Sequence, residues 1–100
     1  MSIMQAPVPM FSFQLFVAGD TPNSVEALGN LTRLCHEYLP GRHVIDVVDV
    51  FREPARALAE GIFMTPTLIR LAPSSDIRIV GTLGNAQAMF QALGRETVLS

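Results

Sequence analysis

A chain of 100 residues is long enough for one small domain and too short for two. Its 7 Lys and Arg against 9 Asp and Glu leave a net charge of −2, without the basic surface a nucleic-acid binder needs to displace counterions. Apolar residues at 49% against 16% charged favour a packed core over disorder, and the lone Cys35 excludes an intramolecular disulfide and any multi-cysteine zinc or redox pair.

The first charged residue is Asp20, but Gln5, Pro7, Pro9, Ser12 and Gln14 interrupt the run before it, and no Lys or Arg stands at its start. A secretory leader needs a positive beginning and a spanning helix about 20 mostly apolar residues, so neither is expected and a cytoplasmic location is. Residues 1–10 read as a flexible arm, 11–94 as the folded domain and 95–100 as a tail. Within the domain, 11–18 alternates and then turns continuously apolar, as an interior strand does. Gly19-Asp20-Thr21-Pro22-Asn23-Ser24 signals a turn and a helix start, with Thr, Asn and Ser as candidate caps. Val25, Leu28, Leu31, Cys35 and Tyr38 recur at spacings of three and four, opposite Glu26, Asn30, Arg33 and Glu37. This predicts an amphipathic helix ending before Pro40-Gly41.

The β-branched run at 43–50, with Val44, Ile45, Val47, Val48 and Val50, predicts a buried strand. Pro54 opens a short helix that Gly61 stops. Residues 67–71 and 76–80 flank Pro73-Ser74-Ser75 as a hairpin. Ala86, Met89, Phe90 and Leu93 then make one apolar helical face, with Gly94 as the stop. The order β-α-β-α-β-β-α is the thioredoxin-like arrangement with a mixed four-stranded sheet. Thr65-Pro66 stands where that fold carries a cis proline at the hairpin's opening, which makes Pro66 a structural cis-proline candidate; a trans proline at a strand start is the alternative.

The chemistry of that fold is missing. Catalytic Cys-x-x-Cys pairs lie between first strand and first helix, where the helix N-terminus lowers the thiol pKa; here Asp20–Ser24 holds no sulfur. Cys35 lies on the apolar stripe, as a structural cysteine does. Cys35 and His36 are adjacent and point about 100° apart, so they make no metal pair, and His43 is not placed to complete one. Asp46 and Asp49 fall on opposite faces of a strand and read as solvated acids. Gly81-Thr82-Leu83-Gly84 lacks the lysine and length of a phosphate loop, and nothing in the sequence singles out a Ser24–His–Asp triad. No enzymatic activity, cofactor or metal is expected.

The stretch Leu15-Phe16-Val17-Ala18-Gly19-Asp20-Thr21-Pro22-Asn23-Ser24-Val25-Glu26-Ala27-Leu28 resembles the signature of the circadian clock KaiB family. Its usual form has another aromatic at 16, Asn at 20 and a basic residue at 26. Val47-Val48-Asp49-Val50, Pro54, Met64-Thr65-Pro66-Thr67-Leu68 and Ile79-Val80-Gly81 with Leu83 continue the resemblance at the family's spacings. It implies a non-enzymatic module that binds the hexameric ATPase KaiC, sequesters KaiA and engages clock-output histidine kinases. It also implies two folds, a tetramer-forming ground state and a monomeric thioredoxin-like state that binds KaiC. The good helix formers Ala88 and Ala92 favour the second fold here. The family's clock members carry basic residues where this chain has Glu26, Gly29 and Gly61, Asp where it has Thr82, and an acidic tail. A changed rim charge alters association rate and partner choice, so a KaiC-like ATPase outside a clock is also compatible.

The expected contact surface is the strand 44–50, the short helix after it and the exposed sheet edge, with Asp46, Arg52 and Glu53 as polar contacts. Two other readings stay open. One is a thiol-dependent oxidoreductase using Cys35 or a recruited thiol. The other is a stand-alone sensory or adaptor domain acting on a histidine kinase.

Overall fold

Among the described residues, four strands and three helices follow in the expected order: β1 (Phe11–Val17), α1 (Pro22–Tyr38), β2 (His43–Asp49), α2 (Pro54–Ala59), β3 (Thr67–Ala72), β4 (Ile77–Val80) and α3 (Ala86–Ala92). The computed structural model describes residues 9–94; most of the expected arm 1–10 and all of the tail 95–100 lie outside the described residues. The sheet order is β2-β1-β3-β4, with β1 and β2 parallel and the other neighbours antiparallel. This is the thioredoxin-like α/β arrangement with a mixed sheet.

The alternation of β1 explains its place. Phe11, Phe13, Leu15 and Val17 point to one face, where they pack with Ala27, Leu31, Leu34 and Cys35 of α1, Met89 and Ala92 of α3, and Leu68 of β3. Phe16 points to the other face, where it meets Val48, Ile69 and Ala57 of α2. α2 has only 6 residues, so the second core is small. Ser12 and Gln14, on that same face, stay half-buried.

Two expectations about burial are corrected. The strand at 43–50 is not buried: β2 is a sheet edge, and of its residues only Val48 is buried, while Val44 and Val47 are exposed. A β-branched run suits any pleated strand, and burial depends on what lies over it. In α1, Val25 is 57% exposed rather than on the core stripe, and Ser24, Ala27 and Leu34 face inward instead.

The start of α1 also differs. Pro22 occupies its first turn, and Thr21 at the N-cap makes no side-chain cap. Ser24 instead turns its hydroxyl inward, where Oγ accepts from Ala18 N–H (3.1 Å) and from Thr21 Oγ1–H (2.9 Å), tying the helix to the end of β1. A short polar side chain that can bond nearby backbone does this as readily as it caps. α3 does have a side-chain cap: Asn85 Oδ1 accepts from Ala88 N–H at 3.1 Å.

The Thr65–Pro66 peptide is cis, and Gly81 N–H donates to Pro66 O at 2.9 Å, joining the start of β3 to the end of β4. The Ala72–Pro73 peptide is cis as well, at a position the sequence marked only as a turn. Arg70 is the largest departure from the expected pattern. It sits in the middle of β3, only 7% exposed, with its guanidinium under the end of α3.

Candidate protein-interaction site

The carboxyl ends of β1 and β2 lie side by side, and one carboxylate joins the loops that follow them. Asp49 Oδ1 accepts from Gly19 N–H (3.2 Å) and from Phe51 N–H (2.9 Å), while Asp49 O accepts from Arg52 N–H (3.0 Å) and Glu53 N–H (2.9 Å). The expectation of a merely solvated acid is therefore corrected: Asp49 satisfies backbone donors of two loops. Gly19 has φ +58, and the Phe51 ring lies 3.7 Å from where a Cβ would stand. A side chain there would be strained by the backbone, although its Cβ would meet the Phe51 ring only at ordinary contact distance.

Gly19, Asp20, Val47, Asp49, Arg52 and Glu53 line a cleft of about 540 Å³ between these loops. Arg52 and Glu53 thus come together as expected. Asp46 does not line the cleft; it reaches the same margin through Arg56. That guanidinium donates to Asp46 Oδ2 (2.6 Å) and to Glu53 Oε1 (3.1 Å), and Gln14 Nε2–H also approaches Asp46 at 3.5 Å. The Asp46 bond, then the Glu53 bond, hold the Arg56 charge more firmly than usual. All three side chains are more than a third exposed, so these pairs orient charge more than they stabilise the fold. Sequence reasoning missed Arg56, although its i, i+3 spacing from Glu53 on a helix start was a signal.

Around α2 stands a larger omission. Phe51, Leu58, Phe63 and Met64 are exposed at 72%, 79%, 93% and 64%. Single exposed apolar residues need no explanation, but four large ones stand on this one short helix and its flanking loops. The signal in the sequence was the pair Phe63-Met64 in a loop before a proline, where no strand or helix period demands apolar residues.

Cys35 is buried on α1, far along the helix from its N-terminus, and burial pushes its thiol up to about 11. A thiol in that state offers little thiolate at neutral pH. Among the described residues, no group of three or more His, Cys, Asp or Glu is placed to hold a metal ion. None of the described helices is long and apolar enough to cross a membrane.

The KaiB domain model matches residues 14–94, most of the chain and every element from the middle of β1 onward. The chain belongs to the KaiB family. A circadian clock oscillator protein KaiB from Thermosynechococcus vestitus is 36% identical over 83 residues, covering 83% of this chain and 77% of the relative. Circadian clock protein KaiB3 of a Synechocystis species is 34% identical over 80 residues, covering 80% and 78%. Among solved structures, the N-terminal domain of Synechococcus elongatus SasA superposes with a TM-score of 0.72 at 21% identity, covering 96% of this chain and 94% of that one. Chloroplastic thioredoxin z superposes with a TM-score of 0.70 at 21% identity, covering 86% and 77%. At such identities these two structures speak for the fold alone. In this KaiB-family chain the loop that holds the redox cysteines of thioredoxins is instead tied down by Ser24 and Asp49.

Proposed function

We propose that this KaiB-family chain works by binding rather than catalysis, and that its partner is a KaiC-type ATPase in a circadian clock or a signalling system derived from one. The observation that carries the reading is the α2 margin of a chain with this family membership. Phe51, Leu58 and Phe63 supply exposed anchors there, and Arg52, Glu53 and the Asp46–Arg56 pair supply charge beside them. Interfaces draw most of their energy from a few large anchors, with rim charges setting rate and register. The exposed edge of β2 adjoins this margin and offers unpaired backbone for strand addition. Asp46, Arg52 and Glu53 are the polar contacts of this proposal, and a cytoplasmic location follows from such a partner. KaiA-like proteins and histidine kinases are further partners that the same margin suits.

The test mixes the purified chain with KaiC-type ATPases of the same organism and follows complex formation by size-exclusion chromatography. A co-migrating complex is expected, weakened by Arg52→Glu. No complex with any of them at about 50 µM of each protein, a level that populates even weak pairs, overturns the reading. The oxidoreductase reading is tested separately by insulin reduction, where wild type and Cys35→Ser are expected to stay equally at background.

A further inference from the structure

An open apolar groove of about 830 Å³ runs along the outward flank of α1, where Val25, Leu28, Gly29, Thr32 and His36 share one side of the helix. Val25 is exposed, Leu28 is half-buried, and a Cβ at Gly29 would meet nothing within 4 Å, so the helix backbone is bare there. Arg33 and Glu37 close the border that adjoins α3, and α3 itself lies beside β4. With the sheet order β2-β1-β3-β4, the groove therefore opens on the β2 side. The chain enters the domain at one end of it. Phe11 N–H donates to Arg42 O (2.8 Å) and Arg42 Nε–H donates to Pro9 O (3.3 Å), with the guanidinium over the Phe11 ring. Arg42 stands between the end of α1 and the start of β2, so Pro9 is held at the C-terminal end of α1, the end at which His36 begins the groove.

We propose that this groove is the seat of the chain's own segment 1–8, which runs from Pro9 along α1 towards Val25 and covers the apolar flank. Length fits this occupant. From His36 to Val25 the helix rises about 17 Å at 1.5 Å per residue, and eight extended residues reach about 25 Å at about 3.1 Å each. One or two residues used in the bend after Pro9 leave Ile3 and Met4 at the level of Gly29, where large apolar side chains fill the place that a missing one leaves open. Pro7 and Pro9 restrict the free segment to extended forms, so less entropy is lost when it docks. Charge fits as well. No charged side chain precedes Asp20, and the groove's own charges, Arg33 and Glu37, lie on the border away from β2. Ordering the segment offsets much of what burial gains, so docking is favoured modestly and exchanges with the undocked form. The contact lies within one chain, so it does not depend on concentration. It leaves the α2 margin uncovered and does not rest on the binding proposed above.

NMR of the full chain at about 100 µM and about 1 mM, a range over which weak association would change, tests this. Methyl contacts from Ile3 and Met4 to Val25 and Leu28 are expected, equally at both concentrations. Ile3→Ser combined with Met4→Ser is expected to remove them and to shift the amide signals of residues 25–36 while leaving those of α2 in place. Gly29→Lys, whose side chain has open space and favours helix, is expected to displace the segment. Glu26→Lys, on the border beside α3, is expected to leave it docked. Absence of these contacts at both concentrations overturns the proposal, as does their survival in Gly29→Lys. Contacts that strengthen with concentration would give the groove to a second copy. Signals of the α1 flank that move only when a KaiC-type ATPase is added would give it to that partner. Either outcome equally overturns the proposal.

Discussion

Arg70 shows how one residue can hold an element in place. Its guanidinium donates to Gln91 O (3.4 Å) and Ala92 O (3.1 Å) at the end of α3, to Ser74 O (3.1 Å) and Oγ (2.8 Å), and to Asp76 Oδ1 (2.9 Å). The last carbonyls of a helix lack partners within it, and a buried cation satisfies them while facing the negative end of the helix dipole. Arg70→Met keeps the apolar stem and removes these bonds. It is expected to cost about 2–3 kcal/mol, read as a fall in urea midpoint at constant slope; a loss under about 0.5 kcal/mol would contradict the role. Asp76 titrates in the same network. Its carboxyl is held below the ordinary 3.8 by the Ser74 hydroxyl first, then by its own backbone N–H and by Arg70. A lowered pKa means that its contribution is complete above pH 3.8 and fades as pH falls through the lower folded value. Wild type is expected to exceed Asp76→Asn in urea midpoint at pH 7, and the two to converge as the pH drops below 3.8. A gap that persists at the acid end would exclude Asp76 as its source.

At the scale of elements, β2 and α3 carry opposite lessons. β2 is a run of strand formers whose burial is set by its neighbours: Val48 lies under α2 and is fully buried, while Val44 on the same face is 53% exposed. Val48→Ala is expected to cost about 1.5–3 kcal/mol and Val44→Ala under about 0.5 kcal/mol in the same denaturation assay. Equal costs would mean that α2 does not cover Val48 in solution. α3 is written locally, by the Asn85 cap, the helix formers Ala88 and Ala92, and the stop at Gly94 with φ +71. Helical chemical shifts across residues 86–93 are expected at low and high protein concentration alike. Strand shifts there in the major species would show that the other fold of the family is the populated one.

For the whole molecule, α1 and α3 pack over one face of the sheet and build the larger core, while the short α2 leaves much of the other face open. Leu58 of α2 and Phe63 in the loop after it stay exposed. Side chains this exposed add little to the fold, so Leu58→Ser and Phe63→Ser are expected to change stability by less than about 0.5 kcal/mol. In the complex with a KaiC-type ATPase the same changes are expected to weaken binding by tenfold or more, as loss of an interface anchor does. Unchanged affinity in both variants would move the contact away from α2.

The sequence by itself determined the seven elements and their order, because each is signalled locally. The period of the apolar residues separates strand from helix, and Pro22, Pro54, Gly41, Gly61 and Gly94 punctuate the chain where elements begin or end. It also carried the family, through the unbroken Gly19–Ser24 stretch and the Thr65-Pro66 pair. Arg52 and Glu53 were legible as candidate contacts because they follow a strand and precede a helix, where loops present side chains. Only the tertiary structure decided that β2 is an edge, that Val25 faces outward while Ser24 and Leu34 face in, and that Asp49 joins two loops. The same is true of the Arg56 bridge between Asp46 and Glu53 and of the buried seat of Arg70. The reason is common to all of these. Period and propensity are properties of neighbours in the chain, whereas burial and long-range ion pairing depend on which distant segment lies opposite, and the packing of helices and strands together settles that.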